Sequence, residues 1–171
     1  GNFAVLCVAD MHRFSRVACS NSFLKTAVPF RWASISTGLK GEADTIVETN
    51  RNTARHLKSG NMDVFATPAM IALMEEAACT ALKISLSEGE TTVGTAISVT
   101  HDRATQVGVT VRAAAEVTSV EGRRITFAVK AVDETGAVVG QGTHARAVVN
   151  TSRFLAALAA SDGPTGRPGP N

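Results

Sequence analysis

The sequence predicts an α+β domain in which one antiparallel sheet wraps a long central helix, and three observations carry that prediction. A helix-forming stretch, residues 68–86, is apolar on most of its circumference, so it belongs in an interior rather than on a surface. Four runs with a period of two follow between residues 92 and 150, the spacing that puts alternate side chains on one face of a strand. The turns between the later runs are shorter than the dozen or so residues a parallel crossover takes, which makes those strands antiparallel neighbours.

Residues 44–49, which end in TIVET, read as a short first strand, and residues 50–63 as polar, irregular chain. The helix PAMIALMEEAACTALKISL has apolar residues at 70, 71, 73, 74, 77, 78, 81 and 82. Thr67 stands where an N-cap hydroxyl belongs, and Pro68 takes the first helical position, where its missing N–H costs nothing. In residues 92–101, Val93, Ile97 and Val99 alternate with Ala96 and Ser98, and His101 falls on the valine and isoleucine face. Residues 107–119 turn Val109, Val111, Ala113, Ala115 and Val117 inward. Glu121 and Gly122 turn the chain into residues 124–132, where Ile125, Phe127, Val129 and Ala131 repeat the period. A second turn at 133–136 leads to the last strand, 138–150. A sheet's inner face needs cover and an all-round apolar helix needs enclosure, so wrapping one around the other satisfies both. That is the hotdog arrangement.

The 171 residues leave room for one compact domain with tails, and the domain is expected at residues 41–160. Residues 1–40 read as a leader. Between Met11 and Lys40 the chain is basic, rich in serine and free of acids, the composition of a mitochondrial transit peptide or of a disordered leader. The expected location is thus the mitochondrial matrix, and otherwise the cytoplasm. Residues 161–171, SDGPTGRPGPN, read as a disordered tail. With 17 Lys+Arg against 15 Asp+Glu, the formal charge of +2 is too small a footprint for nucleic acid. Cys7, Cys19 and Cys79 are odd in number and lack metal-ligand spacing, which points to a reducing compartment and no bound metal. No apolar run approaches the roughly 20 residues of a membrane span, so a soluble protein is expected.

Three residues are placed for chemistry. Glu75 lies in the middle of the apolar helix, where an ionised carboxylate is costly unless paired; Glu76 faces a solvated edge. His101 looks inward, where it is expected to meet Glu75, and imidazole moves protons near neutral pH. Thr67 heads the helix. Taken singly, each has a plainer reading: Thr67 as a helix cap, His101 as a satisfied core histidine, Glu75 as a buried acid held by backbone donors. No GxSxG elbow, P-loop or GxGxxG fingerprint is present. Gly140 and Gly142 mark a bulge or a close backbone approach. Arg146 shares their face with His144, suited to a phosphate or carboxylate, or to a salt bridge at an exposed strand position.

Three segments together, VFATPAMIALMEEAA (64–78), VGTAISVTHDRAT (93–105) and GQGTHARAVV (140–149), resemble the fluoroacetyl-CoA-specific thioesterase-like family of hotdog proteins. The likeness runs from about residue 41 to 158. The resemblance implies an acyl-CoA thioesterase that releases a free carboxylic acid and coenzyme A, with coenzyme A part of the substrate and no other cofactor. It places the family's catalytic threonine, acid and histidine at Thr67, Glu75 and His101. It also implies substrate contacts at Phe65, Gly94 and Arg146, and a homodimer or dimer of dimers. One stretch departs from the family: HLKSGNMDVF puts Lys58 and Asn61 where its lid phenylalanines fall, and Pro68 replaces a glycine. Two other readings stand beside the thioesterase, a non-catalytic acyl-CoA-binding module and an enoyl-thioester hydratase. The acyl group, the attacking group (water or Glu75) and the protomer that Arg146 serves are not legible from sequence.

Overall fold

The computed structural model describes residues 34–161, so most of the leader and the tail fall outside the described residues. The elements in order are β1 (Lys40–Ile46), α1 (Thr67–Leu82), β2 (Glu90–His101), β3 (Thr110–Glu121), β4 (Arg124–Asp133), β5 (Val138–Asn150) and α2 (Thr151–Ser161). The strands form one antiparallel sheet in the order β1-β3-β4-β5-β2. It curls over α1, and the core lies between them: Met70, Met74, Ala77 and Leu82 from the helix meet Val111, Val117, Ile125, Phe127 and Val129 from the sheet. The predicted α+β hotdog architecture is the observed one. The period-two runs of β3 and β4 bury Val111 to Val117 and Ile125 to Ala131 as expected, because each strand has one face on the helix and one in solvent, although β3 starts at Thr110 rather than 107 and leaves Val109 outside it, half-buried.

Five further details differ from expectation, each for a local reason. β1 begins at Lys40 and ends at Ile46, not 44–49. Its start, KGEAD, is polar, and what seats it is backbone proximity: a side chain at Gly41 would strike the α1 backbone at Ala77 and Ala81. Past the strand, Val47 is still buried and bonds Val109 and Gly108 through its backbone. The helix ends at Leu82 rather than 86, where Lys83 N–H turns back to the Thr80 carbonyl and Ser85 N–H to that of Leu82. Its N-cap is Ala66, with no side-chain cap, which places Thr67 inside the first turn and corrects the capping expectation. Nor is α1 enclosed all round: Ala72, Glu76, Cys79 and Thr80 are exposed.

The fifth correction bears on the site. β2 carries an irregularity between Gly94 and Ala96, where its register against β5 shifts by one residue. Residues directly opposite in an antiparallel pair share a face, and a one-residue slip exchanges faces. Ile97, Val99 and His101 oppose His144, Gly142 and Gly140 on the helix side, as expected. Before the bulge, however, it is Thr92 and Gly94 that face inward, and Val93 is on the other side. Gly140 and Gly142 mark a close approach: a side chain at either would strike the β2 backbone at Thr100 or Ser98.

Among the described residues no helix is long and apolar enough to cross a membrane, and no group of His, Cys, Asp or Glu is arranged to hold a metal ion.

Candidate active site

Two polar clusters sit along α1, one at its start and one about two turns on. At the start, the chain enters the helix through Phe65 and Ala66, which bond Thr105 and Asn52 through their backbones. That fixes Thr67 at the end of β2, where its Oγ1 lies 2.8 Å from His101 Nδ1. Because no side chain caps this helix, the hydroxyl is free for the imidazole rather than spent on an N–H. The other ring nitrogen, His101 Nε2, is buried and has no hydrogen-bond partner among the described residues. The pair opens on a cleft of about 250 Å³ lined by Phe65, Thr67, His101, Asp102 and Arg103. Arg103 is held 3.8 Å from Asp133. The Asp133 carboxyl stays below the ordinary carboxylate range, mainly through the Thr135 hydroxyl, then through the N–H groups of Thr135 and Ala137 and the Arg103 charge, with burial pushing the other way. A larger groove, about 590 Å³, crosses the outer face of the sheet over Ala114, Ala128 and Thr143, and shares no residue with either cluster.

The second cluster centres on Glu75. The bulge in β2 opposes Gly94 to Arg146, and the missing side chain at Gly94 leaves room for the Glu75 carboxylate: a Cβ there would come within 2.6 Å of Oε1. Arg146, 6% exposed, donates from Nε to Thr92 Oγ1 and from Nη2 to the Thr92 carbonyl, both at 2.9 Å. Its Nη1 lies 3.1 Å from His144 Nε2 and 3.8 Å from Glu75 Oε1. His144 Nδ1 lies 2.8 Å from the Ala96 carbonyl, and its ring stacks on Phe127 at 6.2 Å between centroids. Glu75 itself is 41% exposed on its side chain.

These contacts fix the His144 tautomer. A carbonyl oxygen only accepts, so Nδ1 carries the proton, and a guanidinium N–H only donates, so Nε2 offers its lone pair. The 3.5 Å approach of His144 Nε2 to Glu75 Oε1 is therefore not an ion pair, since the nitrogen has no proton to share.

The structure brings Thr67 and His101 together and places Phe65 beside them. Glu75, Gly94 and Arg146 form a separate group in the same chain. Eight positions along α1 correspond to about 12 Å of rise, and the seven from Gly94 to His101 along β2 to about 23 Å. Sequence reasoning did not single out His144 or Thr92. His144 had a signal, two positions from Arg146 on the same face; Thr92 had none, because the bulge that turns it inward is invisible in the alternation.

Residues 48–152 match the family model described as fluoroacetyl-CoA-specific thioesterase. A fluoroacetyl-CoA thioesterase of Streptantibioticus cattleyicolor is 48% identical over 94 residues, which cover 55% of this chain and 67% of that protein. The solved structure of the fluoroacetyl-CoA thioesterase FlK superposes with a TM-score of 0.70 at 38% identity, over 77% of this chain and all of that one. A thioesterase superfamily member from Thermus thermophilus gives 0.69 at 26% identity, over 74% of this chain and 93% of that one.

Proposed function

The chain belongs to the fluoroacetyl-CoA-specific thioesterase family and is an acyl-CoA thioester hydrolase, and from that premise we propose that a homodimer completes its active site. Thr67 and His101 of one protomer work on the same thioester as Glu75 of the other. The observation that carries this reading is the 2.8 Å contact between Thr67 Oγ1 and His101 Nδ1 at the head of a cleft. With Nδ1–H donating to Thr67 Oγ1, the second ring nitrogen, Nε2, keeps its lone pair and serves as a base with no other partner among the described residues. Water adds to the thioester carbonyl as Nε2 takes its proton, and the tetrahedral oxyanion collapses to expel coenzyme A thiolate, which recovers that proton from the imidazolium. N–H groups at the uncapped start of α1 stabilise the oxyanion. Glu75 supplies the carboxylate that faces the reacting carbonyl.

A second copy is invoked because Glu75 is remote from His101 within its own chain, while β2 has one open edge among the described residues. Two such edges pairing antiparallel about a two-fold axis run the His101 end of one strand alongside the Gly94 end of the other. Arg146, enclosed in the protomer of its own Glu75, then acts across the interface relative to His101.

The acyl group need not be fluoroacetyl. The loop 54–64 is drawn together by an Arg55–Asp63 ion pair at 3.1 Å and by backbone bonds from Ala54 to Val64 and Arg55 to Met62. Its exposed tip carries Lys58 and Asn61 where the family's lid phenylalanines fall.

The test is release of free thiol from short, medium and aromatic acyl-CoAs, with His101→Ala beside the wild type. Release by the wild type that disappears in the variant supports the reading and names the acyl class. Saturable binding without release favours a non-catalytic module, and a 3-hydroxyacyl product from an enoyl-CoA favours a hydratase.

A further inference from the structure

His144 has no part in the mechanism above, yet it is 1% exposed and every polar atom of its ring is engaged. Its Nε2 stands beside both charges of the second cluster, 3.1 Å from Arg146 Nη1 and 3.5 Å from Glu75 Oε1. With Nδ1–H given to the Ala96 carbonyl, its Nε2 lone pair accepts from Arg146 Nη1 at 3.1 Å. The same guanidinium stops 3.8 Å from Glu75 Oε1, longer than a charge-assisted hydrogen bond, which runs at about 2.7–2.9 Å. The remaining guanidinium bonds go to Thr92, so Arg146 is held by neutral acceptors on three sides and presents its charge to Glu75 without closing on it.

We propose that His144 is a positioning residue for Glu75: its Nε2 lone pair holds the Arg146 guanidinium beside the carboxylate at a fixed stand-off, which keeps the carboxylate aligned and unconsumed by a direct ion pair. Phe127 stacked on the ring and the fixed tautomer stop the imidazole from turning its other nitrogen toward the guanidinium. Without an acceptor at the Nε2 position, Nη1 loses its partner and swings onto Oε1. The carboxylate is then tied up by the guanidinium and misaligned for the thioester. This inference rests on the reading of Glu75 as the acid of the thioesterase site.

The distinguishing substitutions are the two amides. In His144→Gln the side-chain oxygen reaches about as far as Nε2 and again accepts from Arg146. In His144→Asn the amide reaches only as far as Nδ1, which keeps the Ala96 contact and abandons Arg146. Partners that orient metal-ligating side chains affect affinity or activity by roughly 10–100-fold, and on the lower end of that scale His144→Asn is expected to lower kcat about tenfold with KM within about twofold, and His144→Gln to stay within about threefold of wild type. A merely structural histidine predicts losses that follow unfolding midpoints, not this order. Nitrogen-15 spectra of histidine-labelled wild type supply a readout independent of folding of any variant, and are expected to show His144 protonated on Nδ1 alone. An Nε2–H tautomer, or equal kcat for the Gln and Asn variants, overturns the proposal. Glu75→Gln run beside them separates the two readings. If it is inactive while His144→Asn keeps its kcat, only the positioning role falls; if Glu75→Gln turns over as wild type, the assignment of Glu75 falls and takes this role with it.

Discussion

The start of α1 and its middle hold their polar side chains in opposite ways. At the start, Thr67 is exposed and meets His101 through one hydrogen bond, and His101 Nε2 has no partner among the described residues. In the middle, Arg146 and His144 are buried and share four short contacts with Thr92, Ala96 and each other. On the proposed reading, the difference separates chemistry from support. A group that must exchange a proton with substrate has to keep a valence open, whereas a group that only orients a neighbour is best when saturated and dry, where its contacts are strongest.

That contrast predicts where substitutions are felt. Arg146→Met is the most damaging to the fold: it leaves the Thr92 carbonyl and His144 Nε2 buried without donors, and unfolding in urea should show a loss of about 3 kcal/mol. A loss below about 0.5 kcal/mol, the usual range for surface positions, would erase the distinction between the clusters. His101→Ala should lower thiol release at least about 100-fold, roughly 2.7 kcal/mol of transition-state stabilisation, with the unfolding midpoint unmoved. Thr67→Ala is expected to cost about tenfold in kcat, with Thr67→Ser restoring most of it, since the hydroxyl only steers the imidazole; equal rates for all three proteins would return Thr67 to a structural role.

The smallest effect concerns Asp133, which ties Arg103 at the cleft to the β4–β5 turn. Its carboxyl is depressed in the folded chain, mainly by the Thr135 hydroxyl. Its contribution is thus fully present above the unfolded pKa and lost as pH falls through the folded one. Asp133→Asn should lower the melting temperature slightly at neutral pH, and the gap to wild type should close in acid, below the ordinary carboxylate range. A gap that widens in acid would mean that the charge destabilises the fold.

What could be read from sequence and what could not divide along physical lines. β3 and β4 were legible because each buries one face, which writes a period of two into Val111–Val117 and Ile125–Ala131; β5 buries neighbours on both faces, Val139 with Gly140 and His144 through Arg146, and was legible from the turn that precedes it. β1 was misplaced because it is seated by a glycine against a helix backbone and carries little apolar signal. α2 was not anticipated: all of its residues from 151 to 160 are exposed, so no buried face imposes a pattern. The inward direction of His101 followed from its parity, which held only because the bulge lies before it, but the neighbour expected for it, Glu75, stands with Arg146 and His144 instead, and within one chain His101 meets Thr67. The same bulge hid Thr92. His144 sat in plain view beside Arg146, but an inward histidine on an apolar strand gives no sign of which partners await it.

Subunit complementation tests whether the site is shared between two copies. Differently tagged His101→Ala and Glu75→Gln chains, each inactive alone, would be mixed through unfolding and refolding and assayed for thiol release, with hybrid dimers verified by tandem purification. Each hybrid carries one site with both residues intact, and random pairing makes half the dimers hybrid, so the mixture should recover about a quarter of wild-type activity. Hybrids that form and release no more thiol than their parents would place His101 and Glu75 in the same protomer's site and contradict the account.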